Sequence, residues 1–368
     1  MRSLNQYGET LIAVLGGGPA GLSAALRATE LGFKVDLYEQ KKIGSGIKCA
    51  EGFIDTLGIL GKPEAGVLYR VKKAVLSAGK AHTVHFGKNC GFWMIDRTTW
   101  QRAMAKKARL AKVRIDEDFP IGRSQLWDIV NKYHYVIDAS GAPSITSRVH
   151  GFVPAYLENA SLLAQYLVEG DFSFIGKDTV KVGYEPHYIG YYYIFPKGPH
   201  LANVGVGRYN RGKRRGHIGL QRELDRILRK ERIDGYRIRK KTSSFVPANR
   251  LGKLVWGKIL LVGDAAALCS PLHGGGIDLA CISGRIAADS IASNQVCKYP
   301  NRLMDVVGCK LSMERRICAL WHTFGYSFLI GILKFPPLFR GIFFNKHPIP
   351  QILGIGGKKR WHSISSVN

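Results

Sequence analysis

A glycine-rich turn near residue 16 constrains the fold of this chain more than any other feature of its sequence. An apolar run at 11–15 leads into Gly16, Gly18 and Gly21, which have the spacing G-x-G-x-x-G, and a second apolar run ends at Glu39. Such glycines permit a tight turn, a close approach of backbone to a pyrophosphate, and close packing of helix on strand. The Glu39 carboxylate is placed to accept hydrogen bonds from ribose hydroxyls. We therefore predict a strand, helix, strand unit that binds NAD or FAD; the alternative is a purely structural turn.

A second strand-turn-helix junction bears on the choice between NAD and FAD. The apolar run 258–262 is followed by Gly263 and Asp264, and three further glycines occupy 274–276. Asp264 could accept hydrogen bonds from a ribityl chain, and the glycine turn could offer N–H groups to the edge of a flavin ring. The alternatives are a helix-capping aspartate and a flexible loop. Two such junctions on one chain favour FAD.

Charge and cysteine content narrow the choice of partner. The chain has 54 Lys and Arg against 27 Asp and Glu, a formal net charge of +27, which attracts nucleic acid, anionic membranes or phosphorylated substrates. No helix-turn-helix, zinc finger or RNP-like motif accompanies this charge, so we expect no nucleic-acid partner. The seven scattered cysteines contain no C-x-x-C pair, which indicates neither disulfides nor a metal site and favours a reducing cytoplasm. We expect no signal peptide and no membrane-spanning helix.

The apolar pattern predicts an α/β (α+β) chain with two intimately joined domains. A Rossmann-like FAD-binding domain takes in residues 1–150 and 245–300, and an antiparallel-sheet substrate domain, residues 70–95 and 151–244, is inserted into it. Residues 301–368 form a basic, aromatic C-terminal helical segment. Further predicted elements are a helix at 97–111 capped by Thr98, helices at 217–232 and 277–295, and one strand at 254–266.

Four segments resemble the geranylgeranyl reductase family of FAD-dependent enzymes, within the p-hydroxybenzoate hydroxylase-like superfamily. They are GGGPAG at 16–21 with Glu39, KCAEG at 48–52, YYYIFPKGPHLANVGVG at 191–207 and GDAAALCSPLHGGGI at 263–277. The middle two are the specific ones, because the family signature runs Y-x-W-x-F-P-x-G and then A-N-V-G-x-G. KCAEG is most similar to the form in archaeal enzymes that saturate digeranylgeranylglycerophospholipids. Two departures are Tyr193 in place of Trp and Trp100-Gln101 in place of Phe-Asp.

The resemblance implies an FAD-binding domain and a sheet that closes a cavity over the flavin ring. It also implies the activity, in which reduced flavin saturates carbon–carbon double bonds of a prenyl chain on a diphosphate, a phospholipid or a quinone. NADPH or a ferredoxin is the expected electron donor. Together with the glycine patterns, the resemblance assigns these cofactor contacts: Gly16, Gly18, Ala20, Gly21, Glu39, Cys49, Ala50, Gly52, Arg97, Asp264, Gly275, Gly276 and Ile277.

Cys49, Tyr191 and Tyr193 are the candidate catalytic residues. Cys49 is interpreted as a proton donor or a thiol that positions the substrate, and the alternative is a small buried apolar side chain. Tyr191, Tyr193 and Phe195 share one face of a strand, where they form either the wall of a prenyl tunnel or a sheet core. His273 is either an acid or a hydrogen-bonded structural residue.

The basic clusters and the tail suggest a membrane surface as partner. Clusters at 211–215, 237–241 and 358–360 either recognise phosphate-bearing head groups or form a solvated surface. The stretch 329–344 either lies in a bilayer interface or caps the second domain. Because prenyl substrates reside in membranes, we expect a cytoplasmic protein peripheral to the inner face of an anionic membrane. Alternative functions are an FAD-dependent monooxygenase or oxidase and a non-catalytic flavin electron carrier.

Overall fold

The computed structural model describes residues 10–87, 90–158, 160–209, 219–233, 235–248 and 251–333. Its strands are β1 (Leu11–Leu15), β2 (Lys34–Tyr38), β3 (Gly52–Ile54), β4 (Val67–Arg70), β5 (Lys73–Ala78), β6 (Lys80–His85), β7 (Phe92–Ile95), β8 (Arg114–Asp116), β9 (Tyr135–Asp138), β10 (Ser161–Glu169), β11 (Thr179–Gly183), β12 (Gly190–Gly198), β13 (Leu201–Tyr209), β14 (Arg237–Val246), β15 (Val255–Trp256) and β16 (Ile259–Leu261). Its α-helices are α1 (Pro19–Glu30), α2 (Arg97–Leu110), α3 (Arg123–Lys132), α4 (Ile145–His150), α5 (Pro154–Leu157), α6 (Leu220–Lys230), α7 (Ile277–Ala292) and α8 (Tyr299–Leu333).

A six-stranded sheet in the order β15-β16-β9-β1-β2-β8 forms the Rossmann-like part. Strand β1 pairs in parallel with β2 on one side and with β9 on the other. Its apolar run is buried on both faces, as expected for a strand inside a parallel sheet covered by helices. The predicted single strand at 254–266 is instead a hairpin, because Gly257, at φ +60°, turns β15 back antiparallel to β16. The predicted α/β class with a Rossmann-like sheet is confirmed.

A seven-stranded sheet in the order β14-β10-β13-β12-β11-β5-β6 is the inserted element. One face packs on α6, where Tyr192 and Ile194 of β12 are fully buried. The other face carries Tyr191, Tyr193 and Phe195, so the alternation expected for this strand is confirmed.

The segment 70–95 divides between two sheets. Strands β5 and β6 pair antiparallel at the edge of the seven-stranded sheet, whereas β7 pairs with β3 and β4 in a separate three-stranded sheet. Its antiparallel character is confirmed, but it does not form one continuous part of the seven-stranded sheet. The segment 86–91 that separates β6 from β7 carries no strand of its own in its described residues.

Helix α2 begins where the sequence predicts, but Thr98 does not cap it. Asp96 is the cap, and its carboxylate accepts a hydrogen bond from the Thr99 N–H at 2.7 Å. The Thr98 hydroxyl instead donates to the carbonyl of Gly44, at 2.7 Å. A hydroxyl inside the first turn was free to bind the preceding loop because a carboxylate already occupied the capping position.

Helix α8 is the described part of the C-terminal segment. Gly325, at φ +64°, interrupts it, and Leu329 beyond this kink lies in the same apolar cluster as Ala74 and Leu76 of β5. Among the described residues, no helix is both long enough and apolar enough to cross a bilayer. The basic clusters at 211–215 and 358–360, and most of the stretch 329–344, lie outside the described residues.

Helices α1 and α7 cross at very short range. A Cβ built on Gly284 of α7 would lie 2.3 Å from the carbonyl oxygen of Ala20 in α1. A Cβ on Gly263, before α7, would lie 2.9 Å from the Ala20 side chain. Glycine at these positions therefore allows the two helices to approach until their backbones touch, which brings both N-termini to one edge of the six-stranded sheet.

Replacing Gly284 by valine should separate the two helices, because the backbone of α1 cannot yield as a flexible side chain would. We expect the free energy of unfolding to fall by about 1–3 kcal/mol or more, measured by urea unfolding, and FAD affinity to fall with it. The matched control is Gly308→Ala in α8, where the nearest atom to a built Cβ is 3.5 Å away. That variant should be neutral or slightly stabilising; equal destabilisation by both would contradict the prediction.

Candidate active site

One continuous cavity of about 850 Å³ runs from the first glycine turn to the face of the seven-stranded sheet. Its nucleotide end is lined by Gly16, Gly18, Ala20, Glu39, Phe119 and Ser140. Its middle is lined by Cys49, Ala50, Gly52, Arg97, Asp264, Gly275, Gly276 and Ile277. Its far end is an apolar chamber. Of the predicted cofactor contacts, only Gly21 is off this wall, so the fold brings the others together, although their individual roles stay predictions.

The nucleotide end has the shape that a pyrophosphate requires. A Cβ on Gly16, at φ +106°, would lie 2.4 Å from the carbonyl oxygen of Ala139. A Cβ on Gly18 would meet no atom within 4 Å and would project into open space. No side chain caps the start of α1 at Gly18, so the helix presents its N–H groups to the cavity. Gly21 serves packing instead, since its Cβ would lie 1.9 Å from the oxygen of Gly16.

Glu39 is at the cavity wall, at the end of β2. One oxygen of its carboxylate accepts a hydrogen bond from the Gly17 N–H, 2.6 Å away, and the other accepts from the Lys41 N–H at 3.1 Å. Each carboxylate oxygen has a further lone pair for a ribose hydroxyl. These contacts and the space at Gly18 fit the ADP half of FAD.

The middle of the cavity is formed by the second glycine turn and the start of α7. Asp264 faces the cavity, and desolvation by the surrounding protein raises the pKa of its carboxyl, although the thiol of Cys269 donates to it at 3.2 Å. Arg97 donates from Nε to Oε1 of Gln101 at 2.8 Å, and Gln101 in turn donates to the carbonyl of Gly17 at 3.2 Å. Gln101, one of the two departures from the family pattern, thus links the arginine to the first glycine turn.

A buried acid, Glu51, fixes the loop that carries Cys49. Its backbone is left-handed, at φ +66°, and its side chain is 8% exposed. Its carboxylate accepts from Lys197 Nζ at 2.7 Å, from Asn203 Nδ2 at 2.9 Å and from the Arg97 N–H at 3.0 Å. Lys197 and Asn203 belong to the strands β12 and β13. The loop is therefore bound to the inserted sheet through one charged side chain.

Two amide side chains of the sheet complete this attachment. Asn203 Nδ2 also donates to the carbonyl of Ala50, and Gln165 Nε2 donates to the carbonyl of Cys49, both at 3.2 Å. Gln165 Oε1 accepts from the hydroxyl of Tyr193 at 2.6 Å. The Tyr193 ring lies over Gly205, where a Cβ would be 2.2 Å from the ring. The glycine in the A-N-V-G-x-G pattern therefore makes room for the aromatic ring on the neighbouring strand.

The apolar chamber lies between the seven-stranded sheet and α8. Strands β5 and β11 contribute Ala74, Leu76, Val180 and Val182, and the aromatic wall consists of Phe92, Tyr184, Tyr191 and Phe195. Helix α8 closes the opposite side with Ile317, Trp321, Phe328, Leu329 and Ile332. The tunnel interpretation of the β12 aromatics is thus consistent with an open, apolar space in front of them.

The two candidate tyrosines and Cys49 all face the cavity. Burial raises the pKa of the hydroxyls of Tyr191 and Tyr193. Each hydroxyl already donates to a protein oxygen: Tyr191 to the carbonyl of His273 at 2.6 Å, and Tyr193 to Gln165 Oε1. Both phenols are therefore held neutral and oriented. The Cys49 sulfur accepts from the Glu51 N–H at 3.3 Å. His273 also lines the cavity.

Several residues that line the cavity or fix its loop carried no recognisable signal in the sequence. Gln165 lies in a strand far from any motif, and Glu51, Lys197 and Asn203 stand inside quoted motifs without an assigned role. Their function depends on pairings between residues more than 100 positions apart, which local patterns do not encode. The chamber wall from α8 was equally hidden, since its apolar residues read as an ordinary helix face.

The cluster at 237–241 lies on β14, an edge strand of the seven-stranded sheet. Arg237, Arg239, Lys240 and Lys241 are exposed there, and Arg239 pairs with Glu169 at 2.5 Å. Lys240 reaches the carbonyl of Ile47 at 3.1 Å, next to the loop that carries Cys49. This basic strand therefore borders the cavity loop on the solvent side.

Comparison with known proteins agrees with this architecture. A sequence model of an FAD binding domain matches residues 12–82. Digeranylgeranylglycerophospholipid reductase 1 of Methanopyrus kandleri is 31% identical over 308 residues, which are 76% of this chain and 79% of that protein. A digeranylgeranylglycerophospholipid reductase of Methanocaldococcus jannaschii is 28% identical over 358 residues, 91% of this chain and 87% of that protein.

Solved structures share the fold. A geranylgeranyl bacteriochlorophyll reductase-like protein from Thermoplasma acidophilum superposes with a TM-score of 0.74 at 20% identity, over 94% of this chain and 99% of that one. A flavin-dependent brominase superposes with a TM-score of 0.69 at 16% identity, over 94% and 98% of the two chains. The fold is thus used by both reductases and halogenases.

The glycine turns, the acid behind the first of them and the matched domain define an FAD-dependent oxidoreductase. The chain belongs to the geranylgeranyl reductase family. The resemblance found in its four sequence segments is confirmed.

Replacing Glu51 by glutamine should loosen the loop at 48–52, because Lys197 and Asn203 lose a buried charged acceptor. We expect a loss of about 1–3 kcal/mol in the free energy of unfolding, and weaker FAD binding, measured by urea unfolding and flavin fluorescence. Lys197 retains Asp96, at 3.3 Å, so the chain should still fold. The control is Glu64→Gln, an exposed partner of Lys107, which should change neither quantity measurably. Identical behaviour of the two variants would contradict the prediction.

Proposed function

We propose that this protein reduces carbon–carbon double bonds of a prenyl chain that is attached to a diphosphate, phospholipid or quinone head group. The supporting observation is that the candidate cofactor cavity continues without interruption into a chamber lined by aliphatic and aromatic side chains. A long apolar chain fits such a chamber, and burying it is favourable at roughly 0.8 kcal/mol per CH₂ group. The names of the reductase relatives support the same substrate class.

When bound, reduced FAD supplies the hydride for an alkene. The chain's own residues supply the rest. The aromatic wall and α8 exclude water and hold the double bond in place, which an unactivated alkene requires. Tyr191 and Tyr193 act through their rings in this proposal, because their hydroxyl hydrogens are committed to His273 O and Gln165. Cys49 Sγ, on the cavity wall, is the proposed proton donor or substrate-positioning group.

The head group is proposed to stay at the solvent side, near the basic strand β14. Arg237, Lys240 and Lys241 are exposed there and attract phosphate-bearing groups. In the same proposal the protein approaches an anionic membrane surface to take up its substrate, and either NADPH or a ferredoxin provides the electrons. The formal charge of +27 supports the electrostatic part of this proposal.

An oxygen-using flavoenzyme is the second candidate. The fold shared with a flavin-dependent brominase and a flavin-dependent halogenase is the observation in its favour. Identities of 16% and 18% to those proteins carry the fold and no activity. Uptake of O₂ coupled to oxidation of the reduced enzyme and modification of a substrate would favour this candidate.

Anaerobic turnover separates the two functions. Dithionite-reduced enzyme mixed with geranylgeranyl diphosphate, or with a digeranylgeranyl phospholipid in detergent, should yield products heavier by one H₂ for each bond reduced, as measured by mass spectrometry. The same incubation with oxidised enzyme is the control and should yield none. Unchanged substrates in the presence of enzyme whose flavin stays fully reduced would reject prenyl reduction.

A variant with a narrower chamber should discriminate between long and short prenyl substrates. Val182 lines the cavity opposite Tyr193 in the strand register, so Val182→Trp should obstruct a long prenyl chain. We expect the KM for a geranylgeranyl substrate to rise roughly tenfold or more, with less effect on a short dimethylallyl substrate. Val182→Ile, which adds one methylene group, is the control and should behave almost as wild type. Equal effects of the tryptophan on both substrates would show that the chain lies elsewhere.

A further inference from the structure

A fully buried ion pair lies directly behind the second glycine turn. Lys310 is 1% exposed and Glu314 is not exposed at all, and their side chains pair across one turn of α8. Burial disfavours charge on Glu314, but the contact with His273 and the positive charge of Lys310 lower the pKa of its carboxyl. Replacing such a pair by apolar side chains often costs nothing, so its presence calls for a role other than stability.

The partner of this pair toward the cavity is His273. Its Nε2 lies 3.5 Å from Glu314 Oε1, and its Nδ1 lies 3.2 Å from the N–H of Gly275. A nitrogen that accepts from a backbone N–H carries no hydrogen, so this geometry requires a neutral imidazole with its hydrogen on Nε2. The negative charge of Glu314 on the Nε2 side favours that tautomer.

The rest of the turn is held from other elements. The carbonyls of Pro271 and His273 accept from Cys318 at 2.9 Å and from Tyr191 at 2.6 Å, and the carbonyl of Leu272 accepts from Tyr209. The Ser270 hydroxyl accepts from the N–H groups of Leu272 and His273. Within the glycine turn, the carbonyl of Gly275 accepts from the Ser270 N–H at 2.8 Å, and the Gly274 N–H donates to the Ser270 carbonyl at 3.0 Å. The N–H of Gly275 donates instead to the imidazole, at Nδ1 of His273.

We propose that His273 is a positioning residue of the cofactor pocket. Glu314, balanced by Lys310, holds the imidazole in its Nε2–H tautomer, and the lone pair left on Nδ1 holds the Gly275 N–H and with it the orientation of a peptide on the cavity wall. The ion pair thus acts through His273 on the surface that receives FAD, and contacts no substrate. The proposal concerns cofactor binding and stands independently of the substrate.

Two isosteric replacements of His273 separate the roles of its nitrogens. His273→Asn places an oxygen where Nδ1 stands and keeps the acceptor for Gly275, whereas His273→Gln keeps only a donor near Nε2. Titrating each apoprotein with FAD and following flavin fluorescence should give a Kd near that of wild type for asparagine. The Kd for glutamine should rise roughly 3- to 10-fold, the effect of one hydrogen bond. Equal Kd values for the two variants would overturn the proposal.

Two further measurements address folding and the ion pair. ¹⁵N NMR of the wild-type protein, with His273→Asn used to identify the signal, should show His273 protonated at Nε2 and without a hydrogen at Nδ1. The opposite tautomer would overturn the proposal even if the glutamine variant fails to fold.

The double variant Lys310→Met/Glu314→Leu should weaken FAD binding in the wild-type background and not in the His273→Asn background. Equal weakening in both backgrounds would show that the pair acts on the fold alone.

Discussion

The close crossing of α1 and α7 is the contact on which the site depends. Each helix follows one of the two glycine turns, and each leaves its first N–H groups without a side-chain cap. Because Gly284 meets the Ala20 carbonyl directly, the two N-termini converge on one cavity with their partial positive charges aligned toward it. Neither turn alone defines a site for an extended dinucleotide. Their spacing, set by a missing Cβ, decides where the cofactor is able to lie.

The second requirement is that the loop carrying Cys49 be fixed to the inserted sheet. Glu51 achieves this by bringing one charge to Lys197, Asn203 and the start of α2. Such charge-assisted hydrogen bonds are stronger than neutral ones, and in a buried place they tolerate little rearrangement. The KCAEG and A-N-V-G-x-G patterns, which lie about 150 residues apart, are therefore two halves of one contact. The acid of the first pattern and the asparagine of the second are hydrogen-bond partners.

The sequence predicted what local chemistry dictates. The positions of Gly16 and Gly18 require glycine, because a Cβ there would clash with backbone or intrude on a ligand. Their spacing therefore predicted the Rossmann-like unit and the cofactor class. The alternation of side chains along β12 predicted which aromatic residues face the cavity. The sequence did not predict Gln165 as a loop anchor or α8 as a chamber wall, because those roles arise only when distant elements meet. The Thr98 error has the same origin, since a competing carboxylate and the Gly44 carbonyl decided which group caps α2.

Helix α8 explains why a buried ion pair persists in so apolar a region. Lys310, Glu314, Ile317 and Trp321 recur at helical spacing along one side, and the last two line the chamber. An apolar helix packed on an apolar sheet has several rotations of nearly equal energy, whereas a buried charge leaves only the rotation in which it meets its partners. The pair therefore specifies the rotation of α8 at which Glu314 faces His273. Since the same rotation turns Ile317 and Trp321 toward the seven-stranded sheet, the charges behind the glycine turn also determine the shape of the chamber beyond it.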